Sequence, residues 1–256
     1  MRVLRLKALL LVAVIAASVS CVASDASQQS AAGTQSMTAA QLEKAGDNAR
    51  ALKNYDEAIE CFKEALRQDR KNAKLYNKLG LAELSAGDYA SARTSFGKAT
   101  KYDHNYPEAW NDLGVVYYVQ KNYGAAAKNF EKAIALNETR ASFHVNLGIT
   151  RFAQGNMESA TREYTRALEL DPEALMRGSN LAMSAQITSR EERARQDFML
   201  AKVFAKLGYV DSCLVCLKRA KEDGYGDLTN VYKEEEFSKV RQDARLAEIV
   251  PPPAAK

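Results

Sequence analysis

The stretch KNYGAAAKNFEKAI, residues 121–134, is the most informative part of the sequence because near-copies of it recur at a fixed distance along the chain. KNYDEAIECFKEAL (53–66) and GDYASARTSFGKAT (87–100) precede it and GNMESATREYTRAL (155–168) follows it, each copy starting 34 residues after the last. A constant period of this length is the signature of a repeat architecture. The fold is therefore predicted from the repeat rather than from any single helix.

Each copy keeps small and aromatic residues at the same positions. Their helical spacing, with the polar break Gln120-Lys121-Asn122 in the third copy, predicts one helical hairpin per repeat. Glycine in the first helix and alanine in the second are expected to let the backbones approach closely, with the aromatic residue filling the gap toward the next hairpin, which would explain the small residues at 124–127. The repeated columns are Gly46, Gly80, Gly114 and Gly148; Ala58, Ala92, Ala126 and Ala160; and Phe62, Phe96, Phe130 and Tyr164.

The pattern Trp110, Leu113-Gly114, Tyr117, Ala126, Phe130 and Ala133 resembles the tetratricopeptide repeat (TPR) family. Pro172 supplies the proline that closes the family pattern in the fourth copy only. The resemblance covers residues 38 to about 223. It implies an all-α, right-handed solenoid of five to six helical hairpins that binds a peptide or a protein in a concave groove. No cofactor or metal is implied.

The chain is predicted to have five parts. Residues 1–20 form a signal peptide, because Arg2, Arg5 and Lys7 precede a short apolar run. Ser18-Val19-Ser20-Cys21 resembles the bacterial lipobox, which implies lipidation of Cys21 and a membrane anchor. Simple cleavage nearby and an uncleaved anchor stay open. Residues 21–37 are predicted as a flexible tether, 38–223 as the solenoid, 224–249 as a short helical C-terminal cap and 250–256 as a disordered tail.

The register changes after the fourth copy. Asn180-Leu181-Ala182 continues the 34-residue period into a fifth repeat, whereas Gly208, Cys213 and Leu217 match the fourth copy at an offset of 53, which is 34 plus 19. The helix near 190–207 is therefore predicted to serve twice. It would be the second helix of repeat five and the first helix of a sixth, closing hairpin.

Composition and reactive residues argue against several function classes. Without residues 1–20 the chain has 33 basic and 32 acidic side chains, since 3 of the 36 Lys and Arg residues lie there. This near-neutral balance disfavours nucleic-acid binding. His104 and His144 lack the partners of a catalytic group and are interpreted as surface or packing residues. Cys213 and Cys216 fit inert packing, although a disulfide and a thiol-redox role stay open.

The first helix of each repeat buries one row of residues in the core. The row displaced from it by one residue, the second stripe, is apolar in repeats two to four. By resemblance to TPR superhelices, we expect this stripe to line the groove, with Tyr118, Phe152 and Leu84 as anchors. Asp112, Asn146 and Asn180 recur every 34 residues and would hold the main chain of a bound peptide. Packing between first helices is the competing interpretation. The predicted groove residues are Asn77, Leu81, Leu84, Asn111, Asp112, Val115, Tyr118, Val119, Val145, Asn146, Ile149, Phe152 and Asn180.

The sequence therefore predicts a non-enzymatic, exported and lipid-anchored scaffold or adaptor. It also resembles bacterial TPR lipoproteins, which implies a role in assembling a cell-envelope complex. One alternative is a self-associating structural protein or homo-oligomer whose groove is filled by its own chain or by another copy. A thiol-redox protein using Cys213 and Cys216 is the other.

Overall fold

The computed structural model of the protein describes residues 37–175 and 189–253, where all regular structure is helical. The predicted signal peptide, Cys21, most of the tether and Asn180 lie outside these residues. Neither described range contains a strand, which confirms the all-α class, and no helix there is long and apolar enough to cross a membrane. The α-helices of these ranges are α1 (Ala39–Ala51), α2 (Tyr55–Gln68), α3 (Ala73–Ser85), α4 (Tyr89–Tyr102), α5 (Pro107–Val119), α6 (Tyr123–Leu136), α7 (Ala141–Ala153), α8 (Met157–Leu170), α9 (Arg190–Leu207), α10 (Val210–Glu222) and α11 (Arg245–Ile249).

Consecutive helices pair as hairpins. Helix α1 packs on α2, α3 on α4, α5 on α6 and α7 on α8, and the second helix of each hairpin also packs on the first helix of the next. These four hairpins coincide with the four sequence copies. The predicted solenoid of helical hairpins is confirmed over this part of the chain.

A glycine in each first helix meets an aromatic ring of the second helix. A Cβ built on Gly114 would lie 2.6 Å from Cε1 of Phe130, and one on Gly148 would lie 2.8 Å from Cε1 of Tyr164. Such distances are far below van der Waals contact, so only glycine allows the two helices to pack this closely. The first two hairpins repeat the contact with Gly46 on Phe62 and Gly80 on Phe96.

The small residues at 124–127 do not all have the predicted role. Ala126 and Ala127 are buried between helices, as expected from a close approach. Gly124 is exposed, and nothing lies within 4 Å of a Cβ built on it. The packing explanation is therefore right for the two alanines and wrong for Gly124, because this glycine is the second residue of α6 and precedes the buried turn.

The break inside each hairpin has a fixed backbone shape. Lys121 has a φ of +60°, and the Asn122 N–H behind it donates to the Tyr117 carbonyl at 2.9 Å, which ends α5. The side chain of Asn122 then accepts from the Ala125 N–H and caps the start of α6. The left-handed residue recurs every 34 positions, as Lys53, Gly87, Lys121 and Gly155.

Helices α9 and α10 form one more hairpin, joined through Gly208 with a φ of +82°. This confirms the register at an offset of 53 and the role of α9 as the first helix of the closing hairpin. Helix α9 also packs on α8. Its predicted second role in repeat five depends on residues 176–188, which lie outside the described residues.

Residues 225–250 cover α9 and α10 with three short 3-10 helices, at 228–232, 235–237 and 240–242, and with α11. Phe198 of α9 stacks on Tyr225 with ring centroids 4.3 Å apart and meets Phe237 at 5.8 Å. Arg241 donates to the carbonyl oxygens of Val231 at 3.0 Å and Glu234 at 2.8 Å, which satisfies backbone acceptors of the irregular segment. The segment corresponds to the C-terminal cap predicted at 224–249. Val250, predicted as the first residue of a disordered tail, belongs to it as well, because it is buried and its carbonyl accepts from the Tyr232 hydroxyl at 2.6 Å.

Candidate partner-binding face

We name as the first-helix face the second stripe of α3 and α5, together with Asn146 of α7, which hydrogen-bonds to Asn111. Its aliphatic part is half-buried and reached by solvent. Leu81 and Leu84 contact a small core cluster that includes Phe96 and Val116, and Val115 packs against the main core. Packing between repeats therefore covers one side of these residues and leaves the other side open. The open aliphatic residues are Leu81, Leu84, Val115 and Val119.

The corresponding apolar residues of α7 belong to the core. Val145, Ile149 and Phe152 are only 2%, 3% and 8% exposed. Tyr118 of α5 is 2% exposed, and its ring centroid lies 5.2 Å from that of Tyr123. The prediction that Tyr118 and Phe152 lie outside the core and anchor a partner is wrong, because both belong to the main hydrophobic cluster.

The polar residues of the face hydrogen-bond to one another across the repeats. Asn77 Nδ2 donates to Asp112 Oδ2 at 3.0 Å, and Asn146 Nδ2 donates to Asn111 Oδ1 at 2.8 Å. One repeat earlier, Lys78 Nζ binds Glu43 Oε1 at 2.6 Å. Asp112 and Asn146 therefore join neighbouring first helices, and their predicted role in holding the main chain of a peptide stays a prediction.

These pairs follow a spacing of 35 residues, not 34. Each links one position of a first helix to the next position of the following first helix. Sequence comparison at the repeat period aligns equivalent positions only, so it missed contacts that are offset by one. The signal was present in the sequence, since at an offset of 35 the polar residues Glu43, Asn77 and Asn111 are each matched by a polar residue. Only Val145 breaks this pattern, and its match at this offset lies outside the described residues.

Asp112 is the half-buried centre of this polar network. It accepts from Asn77 and, through Oδ1, from Asn111 Nδ2 at 3.1 Å. Burial raises the pKa of its carboxyl to about 6, because the lost hydration outweighs the two amide donors. Glu108 raises this pKa as well, and Arg140, which lowers it, already pairs with Glu108 at 3.5 Å.

Two amide oxygens beside this network have no hydrogen-bond partner. They are Oδ1 of Asn77 and Oδ1 of Asn146, and each residue is only 4% exposed. Most buried polar atoms in native proteins are paired, so two unpaired acceptors on one face are unusual. The face thus combines open aliphatic residues with a surplus of acceptors.

His144, Cys213 and Cys216 take part in packing, whereas the side chain of His104 is exposed. His144 Nε2 lies 3.1 Å from the Glu138 carbonyl, as Trp110 Nε1 lies 3.0 Å from the His104 carbonyl one repeat earlier. Its Nδ1 faces Glu163 Oε2 at 2.8 Å. Cys213 and Cys216 are unpaired and buried in α10, and burial raises the pKa of both thiols to about 12. A reactive thiolate is strongly disfavoured at neutral pH.

A family model described as "Tetratricopeptide repeat" matches residues 43–98, 77–141 and 121–174, which together cover more than half of the 256 residues. The chain belongs to the tetratricopeptide repeat family. TPR proteins are generally non-enzymatic and bind other proteins. No curated protein sequence matches the chain.

Solved structures share the fold at low sequence identity. A crystal structure of MamA is 23% identical with a TM-score of 0.52, covering 77% of this chain and 95% of that chain. MamA from residue 41 to its end, of Desulfovibrio magneticus RS-1, is 20% identical with a TM-score of 0.52, covering 72% of this chain and 92% of that chain. TTC0263, a TPR protein of Thermus thermophilus, is 19% identical with a TM-score of 0.50, covering 77% of this chain and 96% of that chain. At these identities the likeness concerns the fold alone.

Proposed function

We propose that the protein is a non-enzymatic scaffold that binds a partner protein through the first-helix face of α3 and α5. The observation that carries the proposal is the set of half-buried aliphatic residues, Leu81, Leu84, Val115 and Val119, beside a polar network that contains buried amides without partners. Partly exposed aliphatic side chains next to directed polar groups are the usual composition of a peptide-binding surface. Membership of the TPR family makes a protein partner the expected ligand.

The test changes the open part of the face. We expect the double variant Leu84→Glu, Val119→Glu to lose the partner, because two carboxylates would be desolvated on binding. Crosslinking in cells followed by pull-down and mass spectrometry compares it with the native chain. The control Tyr89→Glu places one carboxylate at an exposed position of α4, 38% accessible, and is matched in charge to the single variant Val119→Glu.

Leu84 also contacts the core, so the single variant Val119→Glu and helical circular dichroism separate lost binding from lost fold. A partner captured by the native chain and by Tyr89→Glu, but not by the folded face variants, supports the proposal. Recovery of the chain alone would instead support self-association, with the face filled by another copy or by the chain itself. Equal capture by all variants would place binding elsewhere.

We further propose that the scaffold works in the bacterial cell envelope, exported and anchored by lipid on Cys21. This proposal is supported by residues 1–37 of the sequence alone, namely three early cations, a short apolar run and the Ser18-Val19-Ser20-Cys21 stretch. Metabolic labelling with a fatty-acid analogue should mark the native chain and leave the Cys21→Ser variant unmarked. Labelling of both chains, or of neither, would contradict the anchor.

A further inference from the structure

The centre of the first-helix face has acceptors that no donor in the described residues satisfies. Asn77 Oδ1 and Asn146 Oδ1 are buried without a partner, and the Asp112 carboxylate is met only by two neutral amides. Unpaired buried acceptors are unfavourable and call for an explanation, such as a group supplied by another molecule. The missing group must donate hydrogen bonds.

The charges of the face point to a cation. Glu43 and Asp47 of α1 both bind Lys78 of α3, at 2.6 and 2.5 Å. Glu108 of α5 pairs with Arg140, in the turn before α7. Both cations are thereby engaged, and Asp112 has no ion-pair partner among the described residues. Tyr106, just before α5, is the other titratable group that interacts with Asp112, and the phenol is neutral near pH 7.

We propose that the first-helix face binds an extended peptide segment whose arginine side chain pairs with Asp112 and whose aliphatic neighbours contact the open residues of α3 and α5. This rests on the proposed function and adds the chemistry of the partner. A guanidinium has five N–H donors in one plane, so it can bind a carboxylate and still donate to other acceptors, whereas an ammonium acts as a compact point charge. Asp112, Val115 and Val119 share one helical face by their spacing, as do Asn77, Leu81 and Leu84.

Binding should depend on pH in a defined direction. A cation favours the ionised form of Asp112, so the complex has a lower carboxyl pKa than the free protein, in which it is about 6. Below that value the peptide must displace a proton before it pairs. Affinity is therefore expected to rise about tenfold between pH 5 and pH 7 and to change little above it.

The experiment uses an array of nine-residue peptides in which the central residue is Arg, Lys, citrulline or Glu and the flanks vary among Leu, Val, Ser and Gly. Citrulline has the shape of arginine without its charge. The full chain is compared with Asp112→Asn. The amide N–H introduced by this substitution can donate to Asn77 Oδ1 once the Asn77 side chain rotates, because that oxygen has no hydrogen-bond partner. The matched control Glu158→Gln removes a carboxylate from an exposed position of α8.

The full chain and Glu158→Gln are expected to bind arginine peptides at least about tenfold more tightly than the corresponding citrulline peptides. Asp112→Asn is expected to bind both kinds of peptide with equal affinity. Citrulline or lysine peptides that bind as tightly as arginine peptides would overturn the inference. If such binding is still lost in Val119→Glu, the proposed function stands and only the arginine assignment fails. Absence of any peptide binding that depends on the face would overturn both.

Discussion

At the scale of single residues, the glycines of the first helices set how closely each hairpin packs. Gly114→Ala is expected to lower the free energy of unfolding by about 1–3 kcal/mol, since its Cβ would overlap Phe130 at 2.6 Å. Gly97→Ala is the control in the interior of α4, where nothing lies within 4 Å, and should raise stability by about 0.5–1 kcal/mol. Urea denaturation measures both. Equal changes in the two variants would show that helix propensity, and not the contact with Phe130, determines the effect of Gly114→Ala on stability.

The left-handed turns give a second residue-scale prediction. Lys121 has a φ of +60° where Gly87 and Gly155 occupy the same turn of their repeats. Lys121→Gly should therefore raise the free energy of unfolding by about 0.5–1 kcal/mol, because the strain of a side chain in this conformation exceeds the extra entropy that glycine adds to the unfolded chain. Lys121→Ala keeps the strain and serves as the control. A gain in Lys121→Ala of the same size would refute the explanation.

Asp112 should make stability depend on pH. Its carboxyl pKa is raised from 3.8 to about 6 in the folded chain, so between these values the native state binds more protons than the unfolded state. Stability therefore falls as pH rises through this window. We expect Asp112→Asn to gain stability over the native chain from pH 4 to pH 6, reaching about 2 kcal/mol and then staying constant. A difference that is flat over this range would show that Asp112 is well solvated.

At the scale of elements, the C-terminal cap completes the last hairpin. Phe237 is fully buried and packs on Phe198 of α9, so Phe237→Ala should destabilise the chain by about 3–5 kcal/mol. The exposed Val215 of α10, 49% accessible, is the control, and Val215→Ala should change stability by less than about 0.5 kcal/mol. Thermal denaturation followed by circular dichroism measures both. A small loss from Phe237→Ala would mean that the cap is dispensable.

Sequence periodicity was sufficient for the elements that repeat. The hairpins and the closing hairpin at an offset of 53 follow from residue identity at fixed spacing, because each is made within one repeat or between equivalent positions. The glycine–aromatic contact did not follow, since the aromatic ring was expected to fill the gap toward the next hairpin but packs on the glycine of its own hairpin. The exposure of the first-helix stripe did not follow. Tyr118 and Val119 are both apolar neighbours on α5, yet the first is buried and the second half-exposed. Their difference depends on packing that periodicity does not specify.

At the scale of the whole molecule, polar pairs at a spacing of 35 residues connect the first helices. Each two neighbouring repeats among the first four are joined by one such pair. The pairs are Glu43 with Lys78, Asn77 with Asp112, and Asn111 with Asn146. Solenoid stability depends on such nearest-neighbour interfaces. The sequence thus indicated which helices carry the polar residues of the candidate site but not which atoms those residues contact, since the amides expected to bind a ligand partly bind each other.

The most direct measurement of the central claim is photo-crosslinking in cells from the face itself. The photoreactive residue benzoylphenylalanine replaces Val119 in one chain and Tyr89, at an exposed position of α4, in the other. Val119→benzoylphenylalanine is expected to capture a foreign protein that Tyr89→benzoylphenylalanine does not. Capture of the same proteins from both positions, or of the chain itself alone, would contradict a partner-binding face on α3 and α5.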